Sequence, residues 1–138
     1  LKSLNEFSDD SLSFELVSSS YEEIPEYLNT CSGSLFFYEW KDTGVSSVPT
    51  RLGELLACGV PCLSLKSNGG YFKEIEDLGC MTLMEELNER EFNKKGKEFL
   101  NLMQSEDVKY KCRKASEKFF SLDNGIREYL RVIQEIIT

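Results

Sequence analysis

Histidine is absent from this chain. Without an imidazole there is no Ser–His–Asp triad, no His-based general acid–base catalysis and no His-containing zinc site. Basic residues are scarce in the first 84 positions, which carry 5 Lys or Arg against 13 Asp or Glu. Such a balance disfavours nonspecific binding to nucleic acid. No apolar run approaches the roughly 18–20 residues of a membrane span, and the mixed polar start does not read as a signal peptide. Neither a Gly-x-Gly-x-x-Gly turn nor a Gly-x-x-x-x-Gly-Lys-Ser/Thr loop occurs. A hydride-transfer dinucleotide site and a P-loop are therefore unsupported. The five cysteines (Cys31, Cys58, Cys62, Cys80, Cys112) are odd in number and include no Cys-x-x-Cys pair. They read as buried thiols of a reducing, cytoplasmic protein rather than a disulfide framework or a metal site.

What is there fits one ordinary domain. The 138 residues carry a net charge of −8, with 41% hydrophobic and 12% aromatic content, which argues against disorder. Residues 85–138 hold 11 basic and 11 acidic groups and read as long solvated helices. The first residue is Leu rather than Met, so the chain reads as an excised piece of something longer.

Short apolar runs separated by Gly and Pro fill the first part. Leu12-Ser13-Phe14-Glu15-Leu16-Val17 alternates apolar with polar and predicts a strand. Ser18-Ser19-Ser20 then offers an N-cap, Glu22 and Glu23 suit a first helical turn, and Ile24, Tyr27 and Leu28 form a stripe at helical spacing. Leu35-Phe36-Phe37-Tyr38 is wholly apolar, as expected of a central strand buried on both faces. After a loop, Pro49 suits the first position of a helix that Gly59 and Pro61 stop. A strand at 62–65, a Gly69-Gly70 turn, a helix over 71–78 and a strand at 81–84 follow. Asn88-Glu89-Arg90-Glu91 resembles a capping box. Ser105 and Asp123 suit the starts of two more helices, the last with Ile126, Leu130, Ile133 and Ile137 on one core-facing stripe. Strands alternating with helices predict an α/β domain, a Rossmann-like three-layer arrangement around a parallel sheet. Ligands in such domains bind outside the carboxyl ends of the strands.

One segment carries chemistry. Ser46-Ser47-Val48-Pro49-Thr50-Arg51-Leu52-Gly53-Glu54 follows a predicted strand and opens a helix. A helix start is suited to a pyrophosphate, because its first N–H groups have no partner within the helix. Ser47 and Thr50 add hydroxyls, and Gly53 permits close approach of a neighbouring backbone or strand. Glu54 stands one turn inside the helix on the face of Thr50, and helical side chains lean toward the N-terminus. A carboxylate there is placed to accept hydrogen bonds from both hydroxyls of a ribose. The plainer reading pairs Glu54 with Arg51 at i,i+3 on a solvated face. Likewise Ser46 and Ser47 can be loop and cap residues, Gly69-Gly70 a plain turn, and Tyr38 and Trp40 rim packing.

The run Ser47-Val48-Pro49-Thr50-Arg51-Leu52-Gly53-Glu54, continued by Ala57, Gly59 and Pro61, resembles the C-terminal donor-binding domain of GT-B glycosyltransferases of group 1 (family 4). Their pattern is Ser-x-Pro-Thr-Lys-Leu-x-Glu-x-x-Ala-x-Gly-x-Pro. The resemblance implies that Glu54 holds a nucleotide ribose and that residues 46–50 (Ser46, Ser47, Val48, Pro49, Thr50) receive the diphosphate. It also implies that the loop after Val17 touches the base. An earlier glutamate that contacts the donor sugar in the family is Ser46 here. The implied activity is transfer of a sugar from a nucleotide-diphosphate sugar to an unknown acceptor, with retention, without metal or other cofactor. The implied partners are the nucleotide sugar and an N-terminal acceptor domain of the same protein, with no nucleic acid and peripheral membrane association of the intact enzyme only. The chain would then be a donor-binding domain cut at its N-terminal edge and inactive alone. Two other classes compete. A receiver-type signalling domain wants an aspartate at the end of its central strand, where this sequence has Phe37-Tyr38-Glu39. A noncatalytic nucleotide- or sugar-binding domain with the same fold is compatible with Ser46.

Overall fold

The computed structural model describes residues 13, 15–37, 49–66 and 71–137. A 3-10 turn (Tyr21–Glu23) leads into α1 (Ile24–Thr30), then β1 (Ser34–Phe36), α2 (Thr50–Ala57), β2 (Cys62–Leu65), α3 (Phe72–Asp77), β3 (Met81–Met84), α4 (Glu89–Met103), α5 (Val108–Phe120) and α6 (Leu122–Ile137). The three strands form one parallel sheet in the order β1-β2-β3. Leu35 lies opposite Leu63, and Ser64 opposite Leu83.

Two helix ends set this register locally. α2 closes through Gly59 N–H to the Leu56 carbonyl and Val60 N–H to the Leu55 carbonyl, both at 2.9 Å. α3 closes the same way, from Gly79 to Glu76 (2.8 Å) and from Cys80 to Ile75 (3.2 Å). Both glycines have positive φ, 78° and 72°, which the left-handed helix stop requires and other residues resist. Each stop feeds the next strand within a few residues.

Alternation along the strands sorts the core into two layers. Phe36, Cys62, Met81 and Leu83 pack with α2, α3 and α5, whereas Leu63, Leu65 and Met84 pack with Phe99, Leu102 and Met103 of α4. Leu52, Leu55 and Leu56 of α2 are all buried, at roughly 1.5–3 kcal/mol each by transfer from water. Against α2 lies α5. A Cβ on Gly53 would meet the Phe120 side chain at 3.1 Å, and Ser116 Oγ donates to the Gly53 carbonyl at 3.3 Å. The close neighbour that Gly53 admits is thus a helix side chain rather than a backbone or strand.

The α/β class and the parallel pairing agree with the sequence reading; several details do not. Ser13 and residues 15–17 form no strand, and Leu16 and Val17 are exposed. An alternating pattern makes a strand only when another strand pairs with it, and none does among the described residues. Leu12 and Phe14 lie outside those residues, as do Tyr38, Trp40 and Gly69-Gly70. Among the described residues β1 lies at the edge of the sheet rather than at its centre, and Leu35 is 55% exposed. The centre belongs to β2. Pro49 adopts an extended conformation (ψ 125°) as the N-cap, so α2 begins one residue later than expected, at Thr50. Only half of the expected capping box forms at α4. Asn88 Oδ1 accepts from Glu91 N–H at 2.9 Å, but the Glu91 carboxylate accepts from the N–H groups of Glu85 and Glu86, both at 2.7 Å. The stripe of α6 is not core: Ile126, Leu130 and Ile137 are exposed. Periodicity tells which residues share a face, not whether anything covers it.

Candidate functional site

In a parallel β–α–β unit the helix runs back against the strands. α2 therefore starts on the side of the carboxyl ends and finishes, through Gly59, at the amino end of β2. Its eight residues span about 12 Å. Leu52, Leu55 and Leu56 turn one face inward, which leaves Arg51 and Glu54 on the outer face, three positions apart. Arg51 Nη1 lies 2.7 Å from Glu54 Oε2, with the two side chains 52% and 33% exposed. Oε2 itself is inaccessible to solvent, yet no N–H is aligned on it as a hydrogen bond. The contact is a close ion pair without hydrogen-bond geometry.

Glu54 faces a cavity of about 310 Å³ between the α1 region and α2, lined also by Tyr21, Ile24, Pro25, Leu28 and Cys58. Next to it, Arg51 lines an open hollow of about 830 Å³ with Ser18, Ser19, Tyr27 and Cys31. The loop before α1 and the outer face of α2 therefore come together. Ser20 closes that loop: its N–H and Oγ donate to Glu23 Oε2 at 2.8 and 3.0 Å. These two bonds hold the Glu23 carboxyl below its ordinary range. Burial raises the Cys58 thiol, opposed by Arg113, so the thiol in the cavity wall is a poor nucleophile. The buried thiols do not all follow Cys58: the hydrogen bond with Cys112 lowers Cys80, which is buried and does not line the cavity. Burial pushes Cys62 up to about 12, and the hydrogen bond with Cys80 raises Cys112.

Of the residues singled out from sequence, Pro49, Thr50 and Glu54 are described. Pro49 and Thr50 stand at the start of α2, and Glu54 one turn on, facing the cavity. Ser46, Ser47 and Val48 lie outside the described residues. The Arg51 pairing of the plainer reading is present, and it coexists with the cavity. Tyr21, 75% exposed in the cavity wall, was not singled out from sequence. It lies in the loop after Val17 that the resemblance sets against the base, but the local residues give only the turn and not that Tyr21 itself faces α2. A larger, apolar groove of about 570 Å³ lies between β1 and α4, lined by Leu35, Leu63, Phe92 and Leu100. It holds no acidic group, so it offers none of the chemistry expected near Glu54. Among the described residues no cluster of Asp, Glu and Cys is placed to hold a metal ion, and no helix is long and apolar enough to cross a membrane.

No protein-family model, no curated protein and no solved structure matches this chain.

Proposed function

We propose that this chain is the donor-nucleotide domain of a retaining glycosyltransferase, and that the cavity between the α1 region and α2 receives the nucleoside of a nucleotide-diphosphate sugar. The observation that carries the reading is the placement of Glu54: a carboxylate facing a cavity, on the first helix after a strand of a parallel sheet, across from the loop that follows Val17. In this reading Glu54 accepts hydrogen bonds from the two ribose hydroxyls, and Tyr21 offers a ring face beside the base. The helix start at Pro49 and Thr50, with the segment of Ser46, Ser47 and Val48 before it, receives the diphosphate. As the bond to the sugar breaks, negative charge grows on the diphosphate, and N–H groups aimed at it from the helix start stabilise that charge.

Arg51 does not exclude ligand binding on energetic grounds. A partly exposed ion pair of this kind contributes up to about 1 kcal/mol, whereas a hydrogen bond to a charged acceptor contributes roughly 1.5–3 kcal/mol. Two ribose hydroxyls therefore outcompete the guanidinium, which remains free to turn toward the phosphates. The acceptor side, and further basic groups, would come from another domain of the same protein. The intact enzyme works in the cytoplasm, with peripheral membrane contact where its acceptor requires it. A second reading, a noncatalytic nucleotide- or sugar-binding domain, is favoured by Ser46 at the position of the sugar-contacting glutamate and by the Arg51–Glu54 pair. Turnover of a nucleotide sugar by the intact protein separates the two.

The experiment that tests the site is Glu54→Gln in the intact protein. The expected result is a fall in kcat/KM for the nucleotide sugar of about 10- to 100-fold, since 1.4 kcal/mol is tenfold. A 2′,3′-dideoxy donor lacks the hydroxyls, so the substitution should cost it little. An equal loss on both donors assigns Glu54 to holding Arg51 and the helix instead. The 138-residue chain alone should bind a nucleoside diphosphate only at about millimolar Kd or weaker, roughly 4 kcal/mol, and should transfer no sugar.

A further inference from the structure

We draw no further inference here: the strongest candidate, the continuous apolar face that α6 presents to solvent from Leu122 to Ile137, is an unpartnered helix face, and nothing in the structure shows what covers it.

Discussion

The two edges of the sheet are built differently. β3 is buried along its whole length, with α3 on one side and α4 on the other. Its outward N–H at Leu83 donates to Glu76 Oε1 of α3 at 3.0 Å. The carboxylate takes the place of a further strand, one way of blunting an edge against unwanted pairing. The chain then leaves β3 through a turn whose two N–H groups, at Glu85 and Glu86, are gripped by Glu91. β1 has three residues, half of its surface open at Leu35, and an apolar groove beside it. The difference is one of distance along the chain. Glu76 and Glu91 lie within seven residues of the groups they hold, so one end of the sheet is finished by its own neighbours. The other end has no such device among the described residues.

The sharpest way to break this comparison is to truncate the two leucines that face each other across β1 and β2. Leu63 is 1% exposed and packs under α4 with Met84 and Phe99. Leu63→Ala should cost about 2–5 kcal/mol, by lost transfer energy plus the cavity left behind. Leu35→Ala, at the open edge, should cost less than about 1 kcal/mol, because half of that side chain already meets water. Urea midpoints of the two variants measure this directly. Equal losses would mean that Leu35 is covered in solution and that the β1 edge is not open.

A smaller effect is expected at Glu76. Glu76→Ala leaves the Leu83 N–H without its acceptor, at a cost of about 1–3 kcal/mol. Glu76→Gln keeps an acceptor oxygen and should recover part of the loss. If the carboxylate also blunts the edge, the alanine variant should aggregate at lower concentration than the glutamine variant. Light scattering at matched stability reads this difference, and identical behaviour would reduce Glu76 to an ordinary hydrogen-bond partner.

The smallest effect concerns pH. The N–H groups of Glu85 and Glu86 hold the Glu91 carboxyl below its ordinary range. Its folded pKa therefore lies under the unfolded one. The linked stability is fully present above the unfolded pKa, near 4.3 for a free glutamate, and is lost as pH falls through the lower folded value. Glu91→Gln should flatten that acid limb and leave neutral-pH folding cooperative. An unchanged slope of stability against pH between about 5 and 3 would show that the clamp is absent in solution.

The legible parts of this protein share a cause. Gly59 marks a helix stop because few other residues accept positive φ, and that stop dictates where β2 begins; Gly79, which the structure shows in the same role before β3, was not singled out from sequence. Asn88 marks a helix start because its side chain satisfies a first-turn N–H. α2 was legible from Pro49, its leucines and Gly59, and so was the position of Glu54 on its outer face. The illegible parts share a cause too. The run at residues 35–38 is as apolar as a central strand and the stripe of α6 is as regular as a core helix, yet Leu35 and Leu130 are exposed. Nor does anything near Tyr21 in sequence announce that it faces α2 some thirty residues later.

The sequence alone determined the alternation of strands and helices, the parallel class that helical crossovers impose, and the single carboxylate one turn inside the helix after the first strand. These depend on backbone conformation and on hydrogen bonds between near neighbours, which a few residue types decide. Only the tertiary structure decided that β2 and not β1 is central, that α5 is what approaches Gly53, and that Tyr21 and Glu54 share one cavity. Those are contacts between residues far apart in the chain. Their free energy comes from burying apolar surface, and burial has no direction: it rewards whichever surfaces meet, and the residue pattern of one segment does not name its partner.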